Sequence, residues 1–131
     1  MKTTLLALIL ALASANAMAD WIFVTETDDY KISVNATLSR KAGSKVKMWD
    51  LKDYKIGQSG INLGVYYRSA KRQYEYDCEE LQTRLLALSL YSEPKGAGKV
   101  LHSQSGAGEW SPVAPDTITE ALWEIACNKQ L

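Results

Sequence analysis

The chain has 131 residues, 47% of them hydrophobic, and its 15 Lys+Arg and 15 Asp+Glu give a formal net charge of +0 at pH 7. That length suits one domain, and the balanced charge excludes the broad basic footprint of a nucleic-acid binder. One histidine and two cysteines are a poor set for structural zinc, which takes four ligands, and no cofactor or metal is expected.

Met1-Lys2 is a short positive start, Leu5 to Ala13 an apolar run, and Ala15 to Ala19 a stretch with small residues at alternating positions. Those are the three parts of a secretory signal peptide. The apolar run falls short of the about 20 residues needed to span a bilayer. Residues 1–19 are therefore expected to be a signal peptide and residues 20–131 the mature domain; cleavage after Ala17 is the other frame. With no cysteine before Cys78 no lipid anchor is expected, and with no later segment apolar enough to cross a membrane no span is expected. The predicted location is the periplasm, the outer surface or the medium.

Trp21 to Thr25 reads as a first strand, and Tyr30, Ile32 and Val34 alternate with polar residues in a second. Ala36 to Arg40 reads as one helical turn, followed by turn chemistry at Lys41-Ala42-Gly43-Ser44. Lys45 to Tyr54 predicts a third strand, buried on both sides or bulged, because Val46 and Met48 point one way and Trp49 and Leu51 the other. Lys55 to Gly64, with Gly57, Gly60 and Gly64, reads as a loop. Tyr66 to Cys78 predicts a fourth strand with Ala70, Tyr74, Tyr76 and Cys78 on one face and Lys71, Gln73, Glu75 and Asp77 on the other. Arg84 to Tyr91 and Lys99 to His102 predict the fifth and sixth, and Gln104 to Gly108 a turn. At the end, Thr117-x-x-Glu120 is a capping box opening a helix with Ile118, Ala121, Leu122 and Ile125 on its apolar stripe. Cys127 falls across from that stripe. Either the last turn unwinds or the helix is buried on two sides. The fold class is α+β, mostly β: about six antiparallel strands with one C-terminal helix packed on them.

Two cysteines, Cys78 and Cys127, in an exported chain read as a disulfide, with free thiols or a metal site as the alternatives. Gly96-Ala97-Gly98-Lys99 fails the phosphate-loop spacing, since Glu93 and Val100 stand where glycine and Ser or Thr are needed. His102 beside Ser103 lacks a nucleophile-elbow sequence, and Asp28-Asp29 and Glu79-Glu80 adjoin turns. The chain reads as a non-enzyme. Arg68, Lys71, Arg72, Gln73 and Tyr74, beside Tyr66, Tyr67 and Tyr76, form a basic and aromatic patch of the composition found in protein interfaces. These five are the candidate ligand-binding residues.

Ser69-Ala70-Lys71-Arg72-Gln73-Tyr74-Glu75-Tyr76-Asp77-Cys78 resembles the surface-adhesin protein E family of bacterial envelope proteins. Met48 to Tyr54, Tyr91-Ser92, Gly96-x-Gly98, Trp110, Pro115-Asp116-Thr117 and a helix ending at Cys127 complete the resemblance in order. The resemblance implies about six antiparallel strands, a C-terminal helix and a tying cysteine pair. It also implies binding to host extracellular-matrix proteins such as laminin and vitronectin, through the basic strand matching Ser69 to Cys78. The family's namesake adhesin is a lipoprotein, and the missing lipid-attachment cysteine is a departure from it. The expected function is an exported binding protein with a protein partner, and a homodimer through a sheet edge is a further expectation. The alternative is a periplasmic housekeeping or stress module that binds an envelope protein or small ligand.

Overall fold

Alternating side chains set the architecture. The computed structural model describes residues 21–60 and 64–128, the side chains of 36–39 excepted; the expected signal peptide lies outside them. The strands are β1 (Trp21–Glu26), β2 (Tyr30–Ala42), β3 (Lys45–Ser59), β4 (Tyr66–Asp77), β5 (Gln82–Tyr91), β6 (Val100–Ser105) and the two-residue β7 (Ser111–Pro112). One helix follows, α1 (Ile118–Asn128). They form a 7-stranded sheet in the order β1-β2-β3-β4-β5-β6, with β7 also paired to β5. Every pairing is antiparallel.

Register puts the core on one face. Ile32 and Val34 of β2 stand opposite Lys52 and Asp50 of β3. Asp50, Met48 and Val46 stand opposite Arg72, Tyr74 and Tyr76 of β4. Ile32, Val34, Val46, Met48 and Tyr76 are buried there against Leu122 and Ala126 of α1. The helix keeps its form through Asn128, so its second predicted alternative holds. Ile118 and Ile125 flank the buried pair on one side, and Trp123 and Cys127 flank it on the other. Cys127 thereby reaches Cys78 at the end of β4, forming a disulfide with Cα atoms 5.5 Å apart. The Trp123 indole donates to the Asp77 carbonyl at 2.9 Å, fixing the same corner.

The strands run further than their sequence suggests. Ala36 to Arg40 is not a helical turn: β2 continues through it, and the irregularity is a register shift between Asn35 and Arg40. A bulge there uses the extra residues while the ladder to β3 goes on. Lys55 to Ser59, read as loop, belongs to β3 and pairs at Gln58 and Ser59 with Tyr67 and Tyr66. Gly57 makes this fit, because a Cβ there would collide with the Tyr66 ring. Gln104 and Ser105, read as turn, extend β6. Of the two alternatives for β3, burial on both sides holds from Lys45 to Asp53, with Val46, Met48 and Asp50 buried on the helix side and Leu51 on the other; the register shift to β4 comes after it, between Asp53 and Gln58.

Candidate functional site

β4 carries the five candidate binding residues, and its alternation divides them. Arg72 and Tyr74 lie on the helix side, opposite Asp50 and Met48. Lys71 and Gln73 lie on the open side, opposite Leu51 and Trp49. Arg68 is half-buried, and its Nε is buried without a hydrogen-bond partner among the described residues. The patch is therefore two surfaces, joined only through the backbone of one strand.

On the helix side, Arg72 clasps Asp50. Nε donates to Oδ1 at 2.7 Å and Nη2 to Oδ2 at 3.1 Å. The Asp50 side chain is 1% exposed and the Arg72 side chain 17%. Burial lifts the Asp50 carboxyl above its ordinary value, and the guanidinium offsets this only in part. For Arg72 burial pulls downward, but Asp50 outweighs it and holds the guanidinium above its ordinary value. The difference follows from depth: the carboxylate has lost all its water, the guanidinium only most of it. Beside the pair, Lys52 Nζ sits 4.0 Å from the centre of the Tyr30 ring and 5.4 Å from that of Tyr54. Burial, and then Arg72, lower the Lys52 ammonium below its ordinary value. Tyr54 meets Tyr30 and Tyr67 edge to face, and burial followed by the neighbouring Tyr67 pushes its phenol up to about 12. Lys52, Arg72, Tyr30 and Tyr74 line a cleft of about 180 Å³, closed on its far wall by Ile118, Thr119 and Leu122 of α1.

The open side has no helix over it among the described residues. The turn at Pro94–Gly96 covers one corner of it, and Trp110 covers Arg84 at another. Ser69 Oγ donates to the Glu93 carbonyl at 2.6 Å and accepts from Gly96 N–H at 2.9 Å. Asp53 accepts from Lys95 N–H at 3.2 Å. Gly96, from the run that fails the phosphate-loop spacing, thus belongs to a turn that clamps β3 and β4. The rest of the face interleaves aromatic and basic groups. Lys71 Nζ lies 5.1 Å from the centre of the Tyr91 ring. Trp49 is next to Gln73 in the ladder. Toward the first edge, Trp21, Phe23, Leu51 and Lys31 line a shallow groove of about 420 Å³ that ends at Asp53 and Lys95, and Phe23 is 57% exposed. Toward the β2–β3 turn, Lys47 stands beside Glu75, and Glu75 is ion-paired with Arg84 at 2.7 Å. Arg84 in turn stacks 4.4 Å over Trp110.

His102 hydrogen-bonds Gln104 at 2.9 Å, while Ser103 meets Ser89 at 3.1 Å. Adjacent strand positions point to opposite faces, so His102 and Ser103 do not converge. Sequence reasoning missed Asp50, Lys52 and Tyr30 on the helix side and Trp21, Phe23 and Trp49 on the open side. One signal was available: Arg72 shares the parity of Ala70, Tyr74 and Tyr76, and a cation at a core-facing strand position calls for a buried anion.

The comparisons with known proteins agree with this architecture. Two crystal forms of Haemophilus influenzae protein E each superpose with a TM-score of 0.62 at 14% identity, over 87% of this chain and 88% and 91% of theirs. A protein E structure from non-typeable Haemophilus influenzae gives a TM-score of 0.59 at 13% identity, over 87% of this chain and 79% of that one. At such identity the likeness is one of fold. No curated protein sequence matches the chain significantly. The family model of surface-adhesin protein E matches residues 21–128, from β1 to the last residue of α1. The chain belongs to the surface-adhesin protein E family.

Proposed function

We propose that this protein is an exported, non-catalytic adhesin whose open sheet face binds a protein partner, with host extracellular-matrix proteins as the class to test first. The observation that carries the reading is that open face: half of the sheet is left without a covering helix among the described residues, and it presents Trp21, Phe23, Trp49, Lys71 and Gln73 together. Aromatic anchors between cations have the composition of interface centres, where Trp, Tyr and Arg dominate the energetics. Family membership supports the same class of function. In this reading residues 1–19 are the signal peptide and the mature domain begins at Asp20. The exposed Phe23 and Ile22 on edge strand β1 make that edge the natural seam for a homodimer.

Binding to immobilised laminin and vitronectin tests the reading directly. The oxidised domain should bind saturably at micromolar concentration or below. Phe23→Ala and Lys71→Glu should each weaken binding about tenfold or more, as truncation of an interface anchor does. Glu124→Ala, on the exposed side of α1, should leave binding unchanged. Absence of saturable binding to both proteins would sink the matrix-protein reading.

A further inference from the structure

The helix-side cleft is separate from the open face and carries its own chemistry. Its electrostatics are unbalanced. Asp50 is fully engaged, since both carboxylate oxygens are taken by Arg72. Lys52 stands next to this pair with its ammonium on the Tyr30 ring. Among the described residues, no carboxylate lies within 4.0 Å of that ammonium. Two cations, Lys52 and Arg72, therefore line the cleft among aromatic and aliphatic walls, and Asp50 lies buried behind them, paired with Arg72.

A half-buried lysine with no carboxylate in direct contact is a costly placement: it has given up water, and the longer-range attraction of Asp50 is outweighed by the repulsion of Arg72. A tyrosine face returns part of that loss. An entering anion returns more, because attraction strengthens as water is excluded. The walls set what the anion is carried on. Tyr30, Tyr74, Ile118 and Leu122 are ring and aliphatic surface, and the Thr119 hydroxyl is a neutral donor at the rim. A volume of about 180 Å³ suits one aromatic ring or a short aliphatic stem, and is well below the roughly 300–1,000 Å³ of a drug-sized site.

We propose that the cleft between β2, β3, β4 and the first turn of α1 is a binding site for a small carboxylate on an apolar or aromatic stem, with Lys52 pairing the carboxylate and Tyr30 and Tyr74 flanking the stem. The carboxylate has two sources, a free organic acid or the C-terminus of a partner chain. Lys52 is the residue that discriminates, because Arg72 is already committed to Asp50.

Chemical-shift titration of the oxidised domain tests this with benzoate, its neutral isostere benzamide, and N-acetyl-phenylalanine as the mimic of a chain terminus. Benzoate should shift the amides of Thr119 and Leu122 saturably, at least tenfold more tightly than benzamide. Added sodium chloride should weaken benzoate and leave benzamide unaffected, a comparison that needs no variant. Lys52→Met should lose benzoate binding at least tenfold, Lys52→Arg should retain it, and Lys55→Met, whose lysine is paired with Glu26, should leave it unchanged. Thermal melting verifies that each variant is folded. Tighter binding of N-acetyl-phenylalanine than of benzoate assigns the site to a chain terminus, and the reverse assigns it to a free acid. Equal response to benzoate and benzamide, shifts confined to residues outside the cleft, or full benzoate affinity in folded Lys52→Met would overturn the proposal.

Discussion

Asp50 sits in a row of core-facing positions, between Met48 and Lys52 on β3, where burial by itself would expel a charge. The two-point contact from Arg72 is what keeps it there. Substitution of one partner leaves the other buried and unpaired, which costs about 3–5 kcal/mol. Asp50→Asn is therefore expected to lower unfolding stability by that amount in denaturant titration, with the slope unchanged. A larger loss is not expected, because Arg72 retains some solvent access. Only half of this pair was legible beforehand. The parity of Arg72 with Tyr74 and Tyr76 was on view in the sequence, but its partner lies 22 residues away, and local alternation says nothing about which strand will be the neighbour.

At the level of elements, the helix start reads cleanly from sequence. The Thr117 hydroxyl accepts the Glu120 N–H at 3.2 Å as a capping box requires, while the Glu120 carboxylate accepts from Asp116 N–H, one residue earlier than the usual partner. Thr117→Ala should destabilise the domain by about 1 kcal/mol, seen as a lower melting temperature with the native helical signal preserved below it. The alternation of β4 was equally legible, because polar and apolar residues alternate from Ser69 to Cys78 at every position but Arg72. The far ends of β2 and β3 were not. Ala36 to Arg40 and Lys55 to Ser59 are poor in β-branched residues, and strand preference depends on what lies across the ladder. Tyr66 over Gly57 supplies that context for β3, from a strand that follows in the chain. The same dependence explains the candidate site: five residues close in sequence were visible as a cluster, yet a period of two places Lys71 and Arg72 on opposite sides of the sheet.

For the molecule as a whole, the sheet has α1 packed on one face and, among the described residues, no helix on the other, and the Cys78–Cys127 bond secures that packing. It spans 49 residues, and in the chain-entropy model a loop of that size stabilises by about 4 kcal/mol. Paired Cys78→Ser and Cys127→Ser substitution should lower stability by about that amount in equilibrium denaturation, and α1 should lose amide-exchange protection before the sheet does. The six-strand outline and the terminal helix were legible because turn residues separate the periodic segments. The seventh strand, β7, was not, since two residues carry no period. The strand order of the sheet repeats the order of the chain, and this has a kinetic consequence. Each strand can dock on the one just formed, so every step closes only a short loop. The helix is different. It comes after β7, at the β5 side, and must return to β2, β3 and β4 before its apolar face is covered. Until it arrives, Ile32, Val34, Val46 and Met48 form a bare strip on a finished sheet. The last segment of the chain is thus the one that covers the core, and the cysteine pair, once joined, holds it there.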